Sequence, residues 1–292
     1  MRKLMLTAVG LAFFGLAQSQ SFKFSVGYGF PWLSQEIGTN SSTTHTTTLD
    51  INSGLEVPRV TSTRKTVEGS YGAGLNINGA FGYTLSENIG IELGISYLTG
   101  RKYTTGSNYT DIRQGELMTF THESESSKSK AVLFTPMLKF VTHKRNFTPY
   151  FLIGPVLGKV NFNRALSRST EESGATVSEV RNTKFKGGVS IGLRGAVGVS
   201  VVLNRKFSVF SEIMFTGMNY FAKESEIVRY TVNGEDKLSL LTENIRKTVY
   251  VKEIEIDSDN ASDYDNHPGK SLRFPISMSS VGANVGMLVK LN

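Results

Sequence analysis

Apolar and polar residues alternate along eight separate stretches of this chain. In the first stretch, aromatic and aliphatic side chains occupy every second position from Phe22 to Trp32, with lysine, serine, glycine and proline between them. Successive side chains of a β-strand point to opposite faces, so the alternation predicts strands with one apolar face and one small or polar face. The second stretch places Tyr71 and Ala73 on its apolar face together with Leu75. The predicted strands are 22–33, 70–85, 89–99, 130–142, 148–160, 185–203, 207–221 and 273–291.

The connections between these strands alternate strictly in length. Long polar connections follow the odd-numbered strands and short ones follow the even-numbered strands: 34–69, 100–129, 161–184 and 222–272 against 86–88, 143–147 and 204–206. Spanning barrels have short turns on the periplasmic side and longer loops outside. The predicted fold is therefore all-β: a transmembrane, antiparallel, up-and-down β-barrel of eight strands with four long extracellular loops and short periplasmic turns. Closure is required because lipid offers no partner to an open sheet edge.

Two further strand-like segments lie inside the last long connection, at 227–241 and 247–256. They raise the alternative of a ten-stranded barrel. The apolar part of the first segment is too short to cross a membrane, and charged residues crowd the second. The sequence therefore favours a hairpin above the membrane that turns at Asn233-Gly234, because Asn-Gly is a strong signal for a two-residue turn.

Composition and the first residues indicate an exported protein. Residues 1–19 combine Arg2 and Lys3 with an apolar run and small residues at its end, which predicts a cleaved signal peptide followed by one domain, 20–292. Hydrophobic residues make up only 39% of the chain, as expected where only alternate residues meet lipid. The absence of cysteine excludes disulfides and a lipid-modified cysteine. The net charge of +7 is not gathered into a basic stripe, so no nucleic-acid partner is predicted.

The C-terminal strand carries a spaced motif. A polar residue is followed by a glycine two positions later and by hydrophobic residues five and seven positions later: Asn284, Gly286, Val289 and Leu291. With the eight alternating stretches, this motif resembles the small outer-membrane β-barrel proteins of Gram-negative bacteria, of the OmpA/OmpX type without a peptidoglycan-binding domain. The resemblance implies that the motif is an assembly signal read by the barrel-assembly machinery. It also implies an outer-membrane location with periplasmic termini, in contact with lipid and lipopolysaccharide.

Charged residues also fall on the small and polar faces of the predicted strands. A narrow eight-stranded barrel is filled by its own side chains, so these charges are expected to meet inside it. An unpaired buried charge is costly, and the pattern therefore predicts a structural network of ion pairs. A gated path for ions is the alternative for the same residues, which are Lys23, Glu92, Lys139, Arg194, Glu212 and Lys290.

Catalytic and metal-binding signals are weak. A lipid-modifying enzyme would need a histidine near a serine and a carboxylate, and His122-Glu123-Ser124, in an expected loop, is the best local candidate. The aspartates between Asp257 and Asp265 lack the glycine and glutamate of a helix–loop–helix calcium site, which favours a solvated turn. The sequence predicts no catalytic residue, no metal site and no cofactor.

Function is therefore expected to reside in the long connections. The sequence predicts a structural or surface-recognition role, with a surface ligand or an envelope protein as partner. Three alternatives stay open: a narrow channel, an accessory barrel of a secretion machine similar to the PorT-like proteins, and a lipid-modifying outer-membrane enzyme.

Overall fold

A computed structural model describes residues 20–50, 53–113, 116–142, 147–172, 174–254 and 267–291. The predicted signal peptide lies outside these residues, as do positions 143–146 of one predicted short turn and the aspartates from Asp257 to Asp265. The described chain is almost entirely extended. Its strands are β1 (Gln20–Pro31), β2 (Gln35–Leu49), β3 (Glu56–Gly69), β4 (Gly74–Thr84), β5 (Ile89–Gly100), β6 (Tyr103–Arg113), β7 (Glu116–Val141), β8 (Phe147–Glu172), β9 (Ala175–Gly187), β10 (Val189–Val202), β11 (Phe207–Val232), β12 (Glu235–Asp236), β13 (Lys247–Val251), β14 (Gly269–Leu272), β15 (Pro275–Ser277) and β16 (Ser280–Lys290).

Among the described residues, helical structure occurs only between β12 and β13. A single 3₁₀ turn, Leu238–Leu240, precedes the four-residue helix α1, Glu243–Arg246. Among the described residues, no helix has the length and apolar character needed to pass through a membrane.

Eight strands close into a ring in which each pairs antiparallel with two neighbours. Around the ring the order is β1, β4, β5, β7, β8, β10, β11, β16 and back to β1. The first and last strands make the closure, which runs from Ser21 opposite Lys290 to Pro31 opposite Ser280. The short links at 86–88 and 204–206 are tight: Leu85 donates its N–H to the Ile89 carbonyl at 2.9 Å. The predicted ring of eight strands is confirmed.

Burial in the ring runs opposite to that of a protein with a dry apolar core. Outward-facing aliphatic side chains are largely exposed, including Ile213 at 65%, Val285 at 63% and Ile95 at 61%. Charged and hydroxyl side chains at the alternate positions are buried, such as Arg194 at 4% and Ser25 at 1%. The strict two-residue alternation therefore assigns the outward and inward faces as the sequence predicts.

The start of the second predicted strand is an exception. Tyr71 and Ala73 are buried at 4% and 0% exposed, so their predicted outward orientation is wrong. The cause is Gly74, whose φ of +140° is readily adopted only by glycine and ends the outward-facing register there. Upstream of Gly74 the chain turns over the ring, and the Tyr71 N–H donates to the Ser277 carbonyl at 2.9 Å.

We expect Gly74→Ala to destabilise the folded protein by about 1–3 kcal/mol, because a Cβ would meet the strained φ. That Cβ would also lie 2.2 Å from the Thr99 carbonyl oxygen. The matched control is Gly79→Ala in the same strand, where the nearest atom to an added Cβ is 3.9 Å away. Denaturant unfolding in detergent should separate the two variants. Equal midpoints would show that the turn at Gly74 does not constrain the fold.

The sequence predicts loops for the long polar connections, but most of their described residues form further strands that extend the sheet of the ring upward. This upper sheet consists of β2, β3, β6, β9 and β12–β14 together with the upper parts of β7, β8 and β11. Its order is β3-β2-β6-β7-β8-β9-β11, with β13 and then β14 beyond β11. The strands β7, β8 and β11 are each 26 residues long and pass without interruption from the ring into this sheet. Threonine and valine supply β propensity that the apolar pattern does not reveal.

The segments 227–241 and 247–256 were the candidates for ninth and tenth ring strands. The strands described within them pair in the upper sheet. β11 ends at Val232, and Asn233 and Gly234 have φ of 51° and 83°, which is the backbone of a tight hairpin turn. β13 then pairs back against β11 at Glu224–Glu226. The predicted hairpin at Asn233-Gly234 is confirmed.

Candidate functional site: the ring interior and the upper sheet

Lys23 is the centre of an ion-paired cluster inside the ring. Its Nζ lies 2.7 Å from Glu212 Oε2 and 3.1 Å from Glu92 Oε1. All three side chains are 7% exposed or less. The ammonium also lies 4.5 Å from the centre of the Phe210 ring, close enough for a cation–π contact.

The carboxylates of this cluster have further partners. Glu212 accepts hydrogen bonds from the Tyr150 hydroxyl and the Asn284 side-chain amide, both at 2.9 Å. Glu92 lies 3.9 Å from the Nζ of Lys139, whose ammonium sits 4.8 Å from the centre of the Tyr150 ring. A buried ion pair is favourable only when its remaining lone pairs are satisfied. These contacts therefore explain how the four side chains can be both charged and buried. We name Lys23, Glu92, Lys139 and Glu212 the lumen cluster.

Arg194 lies nearer the upper sheet than Glu212 does and is held differently. Its Nε donates to Thr216 Oγ1 at 3.1 Å and its Nη1 to Ser96 Oγ at 3.0 Å. Within the described ranges, no carboxylate is within ion-pair distance of it. A cavity of about 20 Å³ separates Arg194 from Lys23 and Glu212, which is room for about one water molecule.

Lys290 is the sixth charge that the sequence assigned to the interior. It lies half-buried at the end of β16, and its backbone N–H donates to the Lys206 carbonyl at 2.8 Å. Its side chain makes no ion pair with the described residues. The six charges therefore divide into a lumen cluster of four, a hydroxyl-bound arginine and a separate lysine.

The sequence did not identify two members of the site. Tyr150 and Asn284 both bond Glu212, yet only their inward position in the alternation distinguished them. Asn284 was assigned to the assembly motif, together with Gly286, Val289 and Leu291. Gly286 lies so close to β1 that an added Cβ would be 2.1 Å from the Phe24 carbonyl oxygen, while Leu291 is 53% exposed. The role of this motif in assembly stays a prediction.

An aromatic cluster closes the interior above Arg194. Tyr71 packs edge-to-face on Phe162 with ring centres 4.7 Å apart, and Phe162 contacts Phe185 at 5.1 Å. Tyr103 lies 5.3 Å from Tyr71 and donates its hydroxyl to the Ser70 carbonyl at 3.1 Å. Tyr220 belongs to the same cluster and is fully buried.

Ion pairs connect the strands of the upper sheet in a row. Arg168 donates to Glu123 at 2.5 Å and lies 4.0 Å from Glu179, which in turn accepts a hydrogen bond from the Tyr230 hydroxyl at 3.1 Å. The row crosses β7, β8, β9 and β11. The hydrogen bond to Glu123 raises the pKa of the Arg168 guanidinium. These side chains are partly solvated, so the row serves mainly to fix the register of the strands.

His122, the candidate catalytic histidine, lies in strand β7 and not in the expected loop. His122 Nδ1 is 2.6 Å from Asn108 Oδ1 on β6. Alternation along β7 puts Ser124 on the same face as His122 but Glu123 on the opposite face, where it pairs with Arg168. The three groups that an enzyme would need are therefore not assembled here. Across the described ranges, no three histidine or acidic side chains converge as metal ligands.

Comparison with known proteins gives only distant likenesses. No family model and no curated protein matches the sequence. Among solved structures, Ail, the attachment invasion locus protein of Yersinia pestis, matches with a TM-score of 0.33 at 10% identity, covering 94% of this chain and 99% of that one. Its complex with the heparin analogue sucrose octasulfate gives 0.32 at 9% identity, with the same coverage. The outer membrane protease OmpT from Escherichia coli gives 0.18 at 9% identity, covering 94% and 97%. TM-scores this low carry no argument about function, which is therefore proposed from the geometry of the chain itself.

Proposed function

We propose that this protein is an integral outer-membrane β-barrel of a Gram-negative bacterium that holds a preformed β-sheet above the membrane for recognition. The observation that carries the proposal is the inverted burial of the ring. A belt of exposed aliphatic and aromatic side chains surrounds an interior that holds the buried charges of the lumen cluster. In water such a belt would drive aggregation, whereas in a bilayer it matches the hydrocarbon.

The edges of the belt support membrane insertion. Trp32 packs edge-to-face against Phe215, with ring centres 5.3 Å apart, on the outside of the ring. Aromatic side chains concentrate at the two levels where a bilayer meets water. At the opposite end of the ring, where β1 begins and β16 ends, Phe22 and Phe147 are exposed at 47% and 42%. Short turns at that end suit the periplasmic side, where the barrel-assembly machinery acts.

The filled interior supports a structural barrel rather than a channel. The cavity beside Arg194 is about 20 Å³, and the aromatic cluster closes the ring above it. The ion pairs of the lumen cluster connect β1, β5, β7 and β11 across the ring, as expected of a structural network. We expect no discrete conductance steps in planar bilayers.

The upper sheet supports a recognition role without catalysis. Its strands are continuous with the ring and are cross-linked by the row from Glu123 to Tyr230. A surface that is already ordered loses little conformational entropy on binding. Partly exposed serine and threonine hydroxyls on β2, within TNSSTTHTTT, offer donors and acceptors to a polar surface ligand.

An accessory barrel of an envelope protein machine is a second candidate, favoured by the free edge of β3. Among the described strands β3 pairs only with β2, so a row of its backbone groups faces outward. An extended segment of an envelope partner would add there as a further strand. Because the chain has no cysteine, Ser62→Cys allows site-specific cross-linking in cells. A stoichiometric envelope partner would support this candidate over a stand-alone role.

Membrane insertion and orientation are tested together. The mature chain, folded in detergent, should migrate differently in gels before and after boiling, as closed barrels do. In intact cells, protease should cut the upper sheet at exposed turns such as 53–55 and spare 86–88 and 204–206. A mature chain that is a soluble monomer without detergent would refute insertion. Cuts at 86–88 in intact cells would reverse the orientation.

A further inference from the structure

A hollow of about 640 Å³ lies on the outside of the ring, where β9 of the upper sheet leads into β10 and where β11 passes into the upper sheet. Its floor is apolar and consists of Val189, Ile191 and Phe221, which are 66%, 71% and 44% exposed. These are the last outward-facing apolar residues of the two strands before the sheet becomes polar. In a bilayer this hollow would lie at the outer edge of the hydrocarbon.

Three cations from separate segments surround the hollow above this floor. Lys223 follows Phe221 on the same face of β11, Lys252 follows β13, and Arg273 lies between β14 and β15. Backbone pairing brings the segments together: Phe221 pairs with Pro275, and the Arg273 N–H donates to the Val251 carbonyl at 2.8 Å. The Lys223 side chain crosses Gly188, where a Cβ would lie 3.5 Å from its Cε.

The three cations have no ion-pair partner in the described chain. The nearby carboxylates of Glu224 and Glu226 are occupied by Lys186, at 3.5 Å and 3.3 Å. Three like charges around one hollow repel each other, and an anion placed between them relieves that repulsion. Lysine and arginine together are the usual side chains that bind phosphate groups.

We propose that Lys223, Lys252 and Arg273 bind the phosphate groups of a phosphorylated glycolipid in the outer leaflet, with its acyl chains against Val189, Ile191 and Phe221. The order of the surface, apolar below and cationic above, is the order of acyl chain and phosphate in such a lipid. The inference rests on the proposed insertion in the outer membrane. It assigns a specific lipid site to one sector of the wall.

The test measures binding of bis-phosphorylated lipid A to the detergent-solubilised mature protein. The triple variant K223Q/K252Q/R273Q should bind about 100-fold more weakly, at about five-fold for each cation removed. The matched control is R59Q/R64Q/K65Q on β3, which removes the same charge from exposed positions far along the upper sheet and should stay within two-fold of the unmodified protein. Dephosphorylated lipid A should bind both variants equally. Inorganic phosphate at millimolar concentration should not displace the lipid, because it lacks the acyl chains.

The outcomes separate this inference from the proposed function. Both variants should retain heat-modifiable migration, which reports the closed barrel. Binding by K223Q/K252Q/R273Q within three-fold of the β3 control overturns the lipid site while leaving the barrel intact. Displacement by inorganic phosphate alone overturns the lipid as the source of the phosphate. A soluble chain without detergent overturns both proposals together.

Discussion

Ile213→Arg is expected to destabilise the protein in lipid vesicles by about 2–4 kcal/mol, because a charge facing lipid near mid-membrane must be buried in hydrocarbon. Ile213 lies outward on β11, 65% exposed, between Val197 and Ala283 on the neighbouring strands. Reversible denaturant unfolding in vesicles of defined lipid measures the change. In a soluble protein the same substitution, at an exposed position, would cost almost nothing.

The control for Ile213→Arg is Val60→Arg on β3. Val60 is also exposed, at 57%, but lies in the upper sheet, where water rather than lipid surrounds it. Its substitution should change the free energy of unfolding by less than about 0.5 kcal/mol. Equal effects at the two positions would contradict the proposed membrane insertion.

Lys23→Met is expected to cost about 3–5 kcal/mol, because it removes the cation shared by two buried carboxylates. Glu92 and Glu212 would then face each other across the ring with only the more distant Lys139, 3.9 Å from Glu92, to balance them. Unfolding of the detergent-folded protein at neutral pH measures the loss.

A second substitution separates charge imbalance from simple loss of packing. Lys23→Met combined with Glu212→Gln removes one charge of each sign and should recover at least about 1 kcal/mol of the loss. Lys65→Met on exposed β3 is the matched control and should be neutral within about 0.5 kcal/mol. If Lys23→Met unfolds like the unmodified protein, the lumen cluster does not hold the ring together.

The ring could be predicted from the sequence because its two faces obey opposite requirements. Most outward positions are apolar, and most inward ones are small, polar or charged, with a few buried apolar side chains such as Leu152 and Phe210 among them. A shift of one residue would therefore reverse the pattern. Tyr71 and Ala73 continue the same alternation in the sequence but not in the structure. The positive φ of Gly74 ends the outward orientation at this point. The pattern of apolar and polar side chains does not predict backbone angles.

The upper sheet escaped prediction for a different reason. The strands β2 and β3 are polar on both faces, so no apolar alternation marks them, and their pairing depends on neighbours far along the chain. The parallel pairing of β2 with β6, with Asn40 opposite Gly106, has no local signal at all. Its ion-pair row likewise joins Glu123 to Arg168 across 45 positions.

The lumen charges show what the alternation specifies and what it does not. It placed Lys23 and Glu212 on inward faces, but 189 positions separate them in the chain. Which inward charges touch depends on how the strands are staggered around the ring, a property of closure as a whole. The stagger brings Lys23 to Glu212 and Glu92 and leaves Arg194 with hydroxyl partners.

Three long strands, β7, β8 and β11, join the ring to the upper sheet without an intervening loop. About half of each strand stands beyond the ring, a reach on the order of 40 Å. A partner bound at the far end would therefore be kept at a set distance from the lipid, and a pull on that partner would load the barrel wall directly. The upper sheet would therefore act as a rigid extension of the barrel and not as a flexible tether.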